Sequence, residues 1–427
     1  LKTVSIKLAN LKANDISMLY EPMRDAAKLI VPVKHGYQFS VESTSHSDII
    51  ATDGTITRPD KDTKVKVTLR ITNPDDPADS ALTKELEVLI TPAYVKPEGD
   101  LDKAREEYTK KKIGFFVHYV PFFTPDKNGK VNDIDQLANA FDVEQFANDM
   151  ESFGVEYVVF TAWHAKMLTL FPSETNKRWR DDRRSTPSIK TYSDRDVIGE
   201  LMEALKKKGI DLFLYIHPVD GHDFVDDILE DQELTGFNDP TDGYSIWNQY
   251  VDELVNELCR RYGKDLKGVW VDGVRIGTSI VQCSRLNATL RAYNPEMIII
   301  MNSGANRDGT YPTSLADYFC WEVYDVTYGT GSMNPYGLKE LNPNIKKDDA
   351  KTWPAGINQV ANVVGGGWFA SEGNTNAKYS AKDIYLYTVM SASVSTSGGM
   401  LYAAGCSAGK ASDFPSNTIW GGGGIGG

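Results

Sequence analysis

The sequence predicts a two-unit chain: an antiparallel β-sandwich over residues 1–95, then an α/β barrel of the (β/α)8 type over residues 101–427. Three observations carry this. Before residue 95, short runs alternate apolar and polar residues between turn-rich stretches, the two-residue period of half-buried strands. After residue 101, strand-length runs that are apolar throughout alternate with helical periodicity, the pattern of a parallel sheet covered by helices. Polar residues collect at the C-terminal ends of these apolar runs, and a closed barrel brings such ends to one mouth.

In the front unit the runs are TVSIKLA, KLIVPVK, YQFSVEST, TKVKVTLRIT and KELEVLIT, separated by TDGT, RPDKD and NPDDPADS. No cluster of titratable groups accompanies them, so this unit reads as accessory. AYVKPEGD (93–100) reads as a linker.

The second unit opens with the buried strand IGFFVHYV (113–120). A helix follows with Val143, Phe146, Ala147, Met150 and Phe153 on one face, stopped at Gly154. VEYVVFTAWH is the next strand. DRDVIGELMEALKKKG repeats the helix, with Ser193 or Asp194 as expected N-cap and Gly209 as stop. IDLFLYIHP, a long helix through YSIWNQYVDELVNELCRRYG, GVWVDG, SIVQCSRLNATLRAYN and EMIIIMNS continue the alternation. DYFCWEVYD, GINQVANVVGGGWF, AKDIYLYTVMSASVSTSGG and MLYAAG are expected to supply the last strands and one helix. The abrupt WGGGGIGG end is read as a flexible tail or the mark of a lost C-terminal element.

Open doubly wound sheets and closed barrels share this rhythm. No G-x-G-x-x-G follows the first strand, which removes the best signal for a dinucleotide fold. His118, His164, His217, Asp272 and Asn302 all sit at strand ends, and with His222 four of the six histidines fall in or just after three successive strands. That placement favours the barrel.

Composition excludes more than it selects. With 427 residues, 41% hydrophobic and 25% charged, a large core is available. No run of eighteen apolar residues exists, so no transmembrane segment is expected. A net charge of −13 with no basic block argues against a nucleic-acid partner. Cys259, Cys283, Cys320 and Cys406 follow no metal spacing and suggest no disulfide framework. The first residue is Leu, so the natural N-terminus, with any signal peptide, is expected to lie upstream.

At the expected mouth each residue has a structural reading beside a functional one. His118 could cap a buried strand or bind a ligand. Trp163 and His164 offer a ring face and a donor, or a core aromatic beside a satisfied histidine. Tyr215 with His217, and Trp270 with Asp272, are two residues apart and so share a side of their strands. A strand-end Asp before Gly is commonly a turn residue, yet Asp272 shares its rim with several histidines and tryptophans. No H-x-H or H-E-x-x-H supports a zinc site, and no glycine-rich loop opens a helix for phosphate; no metal or cofactor is expected. Carbohydrate hydrolysis asks for two carboxylates, aromatic rings and hydroxyl partners, and these residue types meet that list.

Along 101–427 the chain resembles the α-L-fucosidases of glycoside hydrolase family twenty-nine. KKIGFFVHYVPFF is similar to the family's K-F-G-I-F-I-H-W-G, GVEYVVFTAWHAKMLTLFPSET to A-K-Y-x-V-L-T-x-K-H-H-D-G-F-x-L-W-x-S-K-x-T, and KKKGIDLFLYIHP to R-K-x-G-L-x-F-G-x-Y-Y-S. GVWVDG is similar to L-W-x-D-G, which carries the nucleophilic aspartate, and VSTSGGMLYAAGCSAG to the late V-S-K-x-G-x-L-L-L-N-I-x-P-x-x-D-G. The resemblance implies Asp272 as nucleophile, His118 and His164 on sugar hydroxyls, and Tyr215 and Trp270 in the same subsite. Trp163 and His217 are added as substrate-binding candidates. The family's general acid lies beyond the fifth strand; Glu322 in YFCWEVYD is the expected residue, with Asp317 in reserve. The paired histidines become His164-Ala165, which puts the identity of the sugar in question. In the front unit, IIATDGTITRPDKDTKVKVTLRITN resembles the immunoglobulin-like modules that precede many bacterial catalytic domains.

The resulting expectation is a retaining exo-glycosidase, foremost an α-L-fucosidase acting on fucosylated or related glycans through a covalent glycosyl-aspartate. The alternatives are a catalytically impaired glycan binder and a glycosidase for a galactose-like sugar. A secreted, periplasmic or lipid-anchored bacterial location follows from the same resemblance.

Overall fold

The computed structural model describes residues 8–24, 26–32, 36–126, 128–185, 188–220, 229–273, 280–302, 316–323, 356–364 and 400–405; from residue 321 onward it describes backbone only. The chain divides into two compact units, Leu1–Lys96 and Pro97–Gly427.

The front unit carries helix α1 (Ala9–Asp15) and an antiparallel sheet of β1 (Gln38–Thr44), β2 (Thr63–Asn73), β3 (Asp76–Leu82) and β4 (Leu86–Ile90). β2 is central: β1 lies along one edge, and β3 and β4 share the other. Its two-residue period sends Val65, Val67, Leu69 and Ile71 into the core while Lys64 and Lys66 face water. Each such buried aliphatic contributes about 1.5–3 kcal/mol. The described residues hold this one sheet where the sequence predicts two packed sheets. Residues 3–7 of TVSIKLA lie outside the described residues, and its Ala9 opens α1. The described residues of KLIVPVK, 28–32, form no strand beyond an isolated bridge of Lys28 with Thr55. NPDDPADS, expected as a turn, is mostly strand β3. Within it the buried Asp79 accepts from the backbone N–H groups of Leu8 and Ala9 and from the Tyr37 hydroxyl. Those bonds tie the start of α1 to the sheet and account for a carboxylate inside a strand.

In the second unit α2 (Leu101–Lys110), capped by Asp100, leads into β5 (Ile113–His118). A small hairpin, β6 (Pro125–Asp126) with β7 (Gly129–Lys130), precedes α3 (Ile134–Ala140) and α4 (Val143–Ser152). Then come β8 (Tyr157–Trp163), the short α5 (Glu174–Asn176), α6 (Val197–Lys207), β9 (Asp211–Ile216), α7 (Glu230–Thr235) and α8 (Ser245–Tyr262). β10 (Gly268–Val271), α9 (Cys283–Tyr293), β11 (Ile298–Met301), β12 (Tyr318–Val323), β13 (Gly356–Val364) and β14 (Met400–Gly405) complete the unit. β5 and β8 to β14 form a closed parallel barrel, shut where β14 pairs with β5 from Met400↔Ile113 to Gly405↔His118.

The α6 cap is Asp196, which accepts from Gly199 N–H at 2.9 Å, rather than Ser193 or Asp194. Ser193 is used upstream, its hydroxyl closing a turn with Arg195. The residues AKDIYLYTVMSASVSTSGG, expected as a late helix and strand, lie outside the described residues.

Alternate residues fill the barrel: Phe116, Tyr157, Val159, Phe213, Tyr215, Trp270, Ile298, Ile300 and Tyr318 form one buried cluster. Tyr108 of α2 enters from below, its ring 4.9–5.3 Å from those of Tyr157, Phe213 and Tyr318. Among the described residues these rings fill the N-terminal end, and His118, His164, His217 and Asp272 lie at the opposite ends of their strands.

Candidate active site

At that rim Asp272 follows β10 and is half-buried. Its backbone N–H continues the ladder to Ile216 O, so the residue is still held by the sheet. Oδ2 accepts from the Tyr215 hydroxyl at 2.6 Å, and Oδ1 accepts from Asn302 Nδ2 at 2.9 Å and from Gly273 N–H at 2.7 Å. One oxygen thus serves the turn while the other faces a phenol donor, and three donors, one in β9 and two just after β10 and β11, fix the plane of the carboxylate. Hydrogen bonds to an ionised acceptor are the strong ones.

Gly273 adopts φ +67, and a methyl there would stand 2.6 Å from Cε1 and 2.8 Å from Nε2 of His217. Glycine is needed twice: for the left-handed turn and for the imidazole beside it.

Aromatic rings lie under and beside this carboxylate. Tyr215 stacks on Trp270 at 5.3 Å and on His164 at 5.4 Å, and meets the edge of His118 at 4.6 Å. Tyr215 and Trp270 are fully buried, so they form the floor beneath the rim. His118 Nδ1 lies 3.0 Å from Thr161 Oγ1, while that hydroxyl donates to Val117 O at 2.9 Å. The hydroxyl's only proton is therefore committed, and Nδ1 of His118 must be the donor. This leaves Nε2 as the unprotonated nitrogen. Burial, then the nearby charges of His164 and His217, push the His118 pKa well below its ordinary value.

His164 and His217 stack at 5.1 Å and share one carboxylate: Asp220 Oδ2 is 2.7 Å from His164 Nδ1 and Asp220 Oδ1 is 3.0 Å from His217 Nδ1. Burial pushes the Asp220 carboxyl up, but the attraction of His217 and His164 outweighs it and holds the group well below the usual carboxylate range.

The structure therefore brings together Asp272, His118, His164, Tyr215, His217 and Trp270. Trp163 is a correction. β8 and β9 pair Thr161 with Tyr215 but Trp163 with Ile216, so Ala162 is an extra, bulged residue. The bulge keeps Thr161 and His164 on the inner side and sends the buried Trp163 to the side of Ile216, towards the helices. Asp317, the reserve acid, is a second correction. It precedes β12 at the opposite end of the barrel and is held by Arg105 Nη2 at 2.6 Å, Arg291 Nη2 at 2.6 Å and Ile299 N–H at 2.7 Å. Glu322 belongs to β12, paired with Val360, and its side chain lies outside the described residues. His222 lies outside them as well.

Two contributors were not assigned a role from sequence. Asn302 was visible as a strand-end polar residue. Asp220 left one signal, a carboxylate three residues after a strand-end histidine in His217-Pro218-Val219-Asp220. Among the described residues no group of three or more His, Cys, Asp or Glu side chains could hold a metal ion, and no helix is long and apolar enough to cross a membrane.

The family model described as Alpha-L-fucosidase matches residues 132–329. An α-L-fucosidase homologue of Oryza sativa subsp. japonica is 26% identical over 313 residues, covering 71% of this chain and 53% of the relative. An α-L-fucosidase of Dictyostelium discoideum is 29% identical over 174 residues, 40% of this chain and 32% of the relative. The chain thus spans about half the length, or less, of these curated relatives. Among solved structures, an α-L-fucosidase of Bacteroides thetaiotaomicron matches with 18% identity over 73% of this chain and 70% of that one, at a TM-score of 0.47. An α-L-fucosidase of Lactobacillus casei in complex with fucose matches with 16% identity over 71% of this chain and 92% of that one, at a TM-score of 0.47.

Proposed function

Starting from a barrel that is α-L-fucosidase-like and divergent, we propose that this chain is a retaining exo-glycosidase that releases a terminal α-L-fucose or a closely related sugar. The observation that carries the reading is the Asp272 carboxylate, held at the C-terminal rim by Tyr215, Asn302 and Gly273 beside three imidazoles. A carboxylate so fixed has one orientation to offer an anomeric carbon.

In the proposed cycle Asp272 attacks the anomeric carbon and the glycosidic C–O bond breaks. The departing oxygen takes a proton from a second carboxylic acid. Water then cleaves the glycosyl–aspartate ester, with the second group now acting as base. Glu322 is the proposed acid and base. What supports the choice is sequence position: Glu322 ends the apolar run of YFCWEV, the stretch that forms β12. Retention calls for a separation of roughly 5–5.5 Å between the two carboxyl groups. His118, buried beside Tyr215 and His164, is proposed to meet a sugar hydroxyl. The front unit is proposed as an immunoglobulin-like accessory module of an exported protein, on the strength of its alternating strands.

One observation favours a second reading, a glycan-binding barrel without turnover: Ala165, buried, stands where the family's second histidine would be. Incubation with 4-nitrophenyl α-L-fucoside and a panel of other aryl glycosides separates the readings. Release from the fucoside supports the fucosidase, and release from a galactose-like member reassigns the sugar. No release, together with a saturable sugar-induced rise in melting temperature, supports the binder. Asp272→Asn should lower kcat by at least about a thousandfold; near-normal turnover in that variant removes Asp272 from the nucleophile's role.

A further inference from the structure

We propose that Arg180 is a positioning residue: its buried guanidinium holds the left-handed backbone of Lys166 and Met167, and so sets where the His164 ring stands at the rim. The inference deepens the glycosidase reading and rests on it for the role of His164, a contact to a hydroxyl of the sugar.

The turn that follows β8 is strained. Lys166 and Met167 adopt φ +57 and +50, a region that side chains of their kind rarely enter. His164, just before them, sits at φ −145 and ψ −119, outside the ordinary regions as well. Its carbonyl accepts from Met167 N–H at 2.7 Å, so the turn and the histidine backbone are one unit. In the family pattern set against this strand, Asp and Gly stand at these two positions, and both enter the left-handed region more readily. Here Lys and Met occupy them, and the surroundings have to hold the conformation.

Arg180 does so. It is fully buried in the π-helical turn Lys177–Asp181. Nη2 donates to Lys166 O at 2.9 Å and Nη1 to Met167 O at 3.2 Å, one bond to each strained residue. Asn176 Nδ2 adds a second bond to Met167 O at 2.9 Å. Nε of Arg180 donates to Asp231, a fully buried carboxylate of α7 that also accepts from Arg184 Nε at 2.7 Å. Burial pushes the Asp231 carboxyl up, but Arg180 and Arg184 outweigh it and hold the group below its ordinary value, so the anchor is ionised. A planar guanidinium serves a carboxylate and two carbonyls at once from fixed positions; an ammonium lacks that fork. On the other side of the turn the His164 ring meets His118 at 5.2 Å, Tyr215 at 5.4 Å and His217 at 5.1 Å.

The test uses the full chain and the aryl glycoside that the wild type cleaves best. Arg180→Lys keeps a cation beside Asp231 and loses the fork, and should lower kcat/KM about tenfold or more. Lys166→Asn puts a residue tolerant of the left-handed region into the turn. In that background the same Arg180→Lys change should cost about threefold or less, because the turn depends less on the guanidinium, and whatever Lys166→Asn does alone cancels in the comparison. The imidazole Cε1–H signal of His164, assigned with His164→Asn, should move in Arg180→Lys and return towards its wild-type position in the double variant. Equal losses in the two backgrounds, or a His164 signal that stays in place, would mark Arg180 as merely structural and overturn the proposal. Where Arg180→Lys does not fold, Asp231→Asn replaces it with the same readouts, since it loosens Arg180 and keeps the shape of its partner. One-bond Cα–Hα couplings of the wild type should report positive φ at Lys166 and Met167; a negative φ at either overturns the proposal and needs no variant. If the wild type releases nothing from any aryl glycoside, the glycosidase reading fails, and the His164 signal still decides this one.

Discussion

Tyr215 is the residue on which the site turns. Its ring stacks on Trp270 and His164 while its hydroxyl donates to Asp272 at 2.6 Å. Tyr215→Phe keeps the buried ring and deletes one bond to a charged acceptor, worth about 1.5–3 kcal/mol. The expected outcome is a folded protein whose kcat/KM is reduced about 10- to 100-fold, read in the aryl-glycoside assay. His118 carries a pH prediction. Burial and its neighbours hold its pKa below 6.5, the ordinary value. Above that pH the folded and unfolded chains both carry it neutral. Below it the unfolded chain binds a proton that the fold refuses, so stability is full at high pH and declines as pH falls, by up to about 1.4 kcal/mol per pH unit. Urea unfolding between pH 7 and 5 should show this decline, and His118→Gln should lessen it.

At the scale of elements, caps and a bulge set where side chains go. Asp196 accepts from Gly199 N–H at the start of α6 and from the Tyr262 hydroxyl of α8 at 2.6 Å. Asp196→Ala removes a cap and an interhelical bond together and should cost about 1–2 kcal/mol, seen as a lower melting temperature with kcat unchanged. Helical periodicity made α6 itself legible, and Gly154 and Gly209 stop their helices at positive φ as expected. The cap was misplaced because Ser193 and Asp194 are equally good caps by residue type, and only the turn made by Ser193 and Arg195 decides among them. The bulge at Ala162 left no local mark. Its effect, Trp163 turned outward and His164 inward, reverses what strict alternation predicts.

At the scale of the molecule, carboxylates at the two ends of the barrel do different work. Asp317 is fully buried at the floor between Arg105 of α2 and Arg291 of α9. Asp317→Ala would leave two guanidinium groups short of their partner and should destabilise by about 3–5 kcal/mol. The folded fraction should retain its kcat and its pH profile, a combination that chemical denaturation and kinetics would show together. Asp272, at the rim, should show the reverse: loss of turnover with little loss of stability.

By itself the sequence determined the rhythm of strands and helices, a set of late stretches that includes the strands GINQVANVV and MLYAAG, and the strand-end positions of His118, His164, His217, Asp272 and Asn302. These are local properties, set by the period at which apolar residues recur. Tertiary structure alone decided which donor meets which oxygen of Asp272, that Asp220 joins two histidines 53 residues apart in the chain, and that Asp317 belongs to the floor. In each case the partners are distant in sequence and meet only through strand register and barrel closure. A shift of one residue in register moves a side chain to the opposite face, and no local period records that shift.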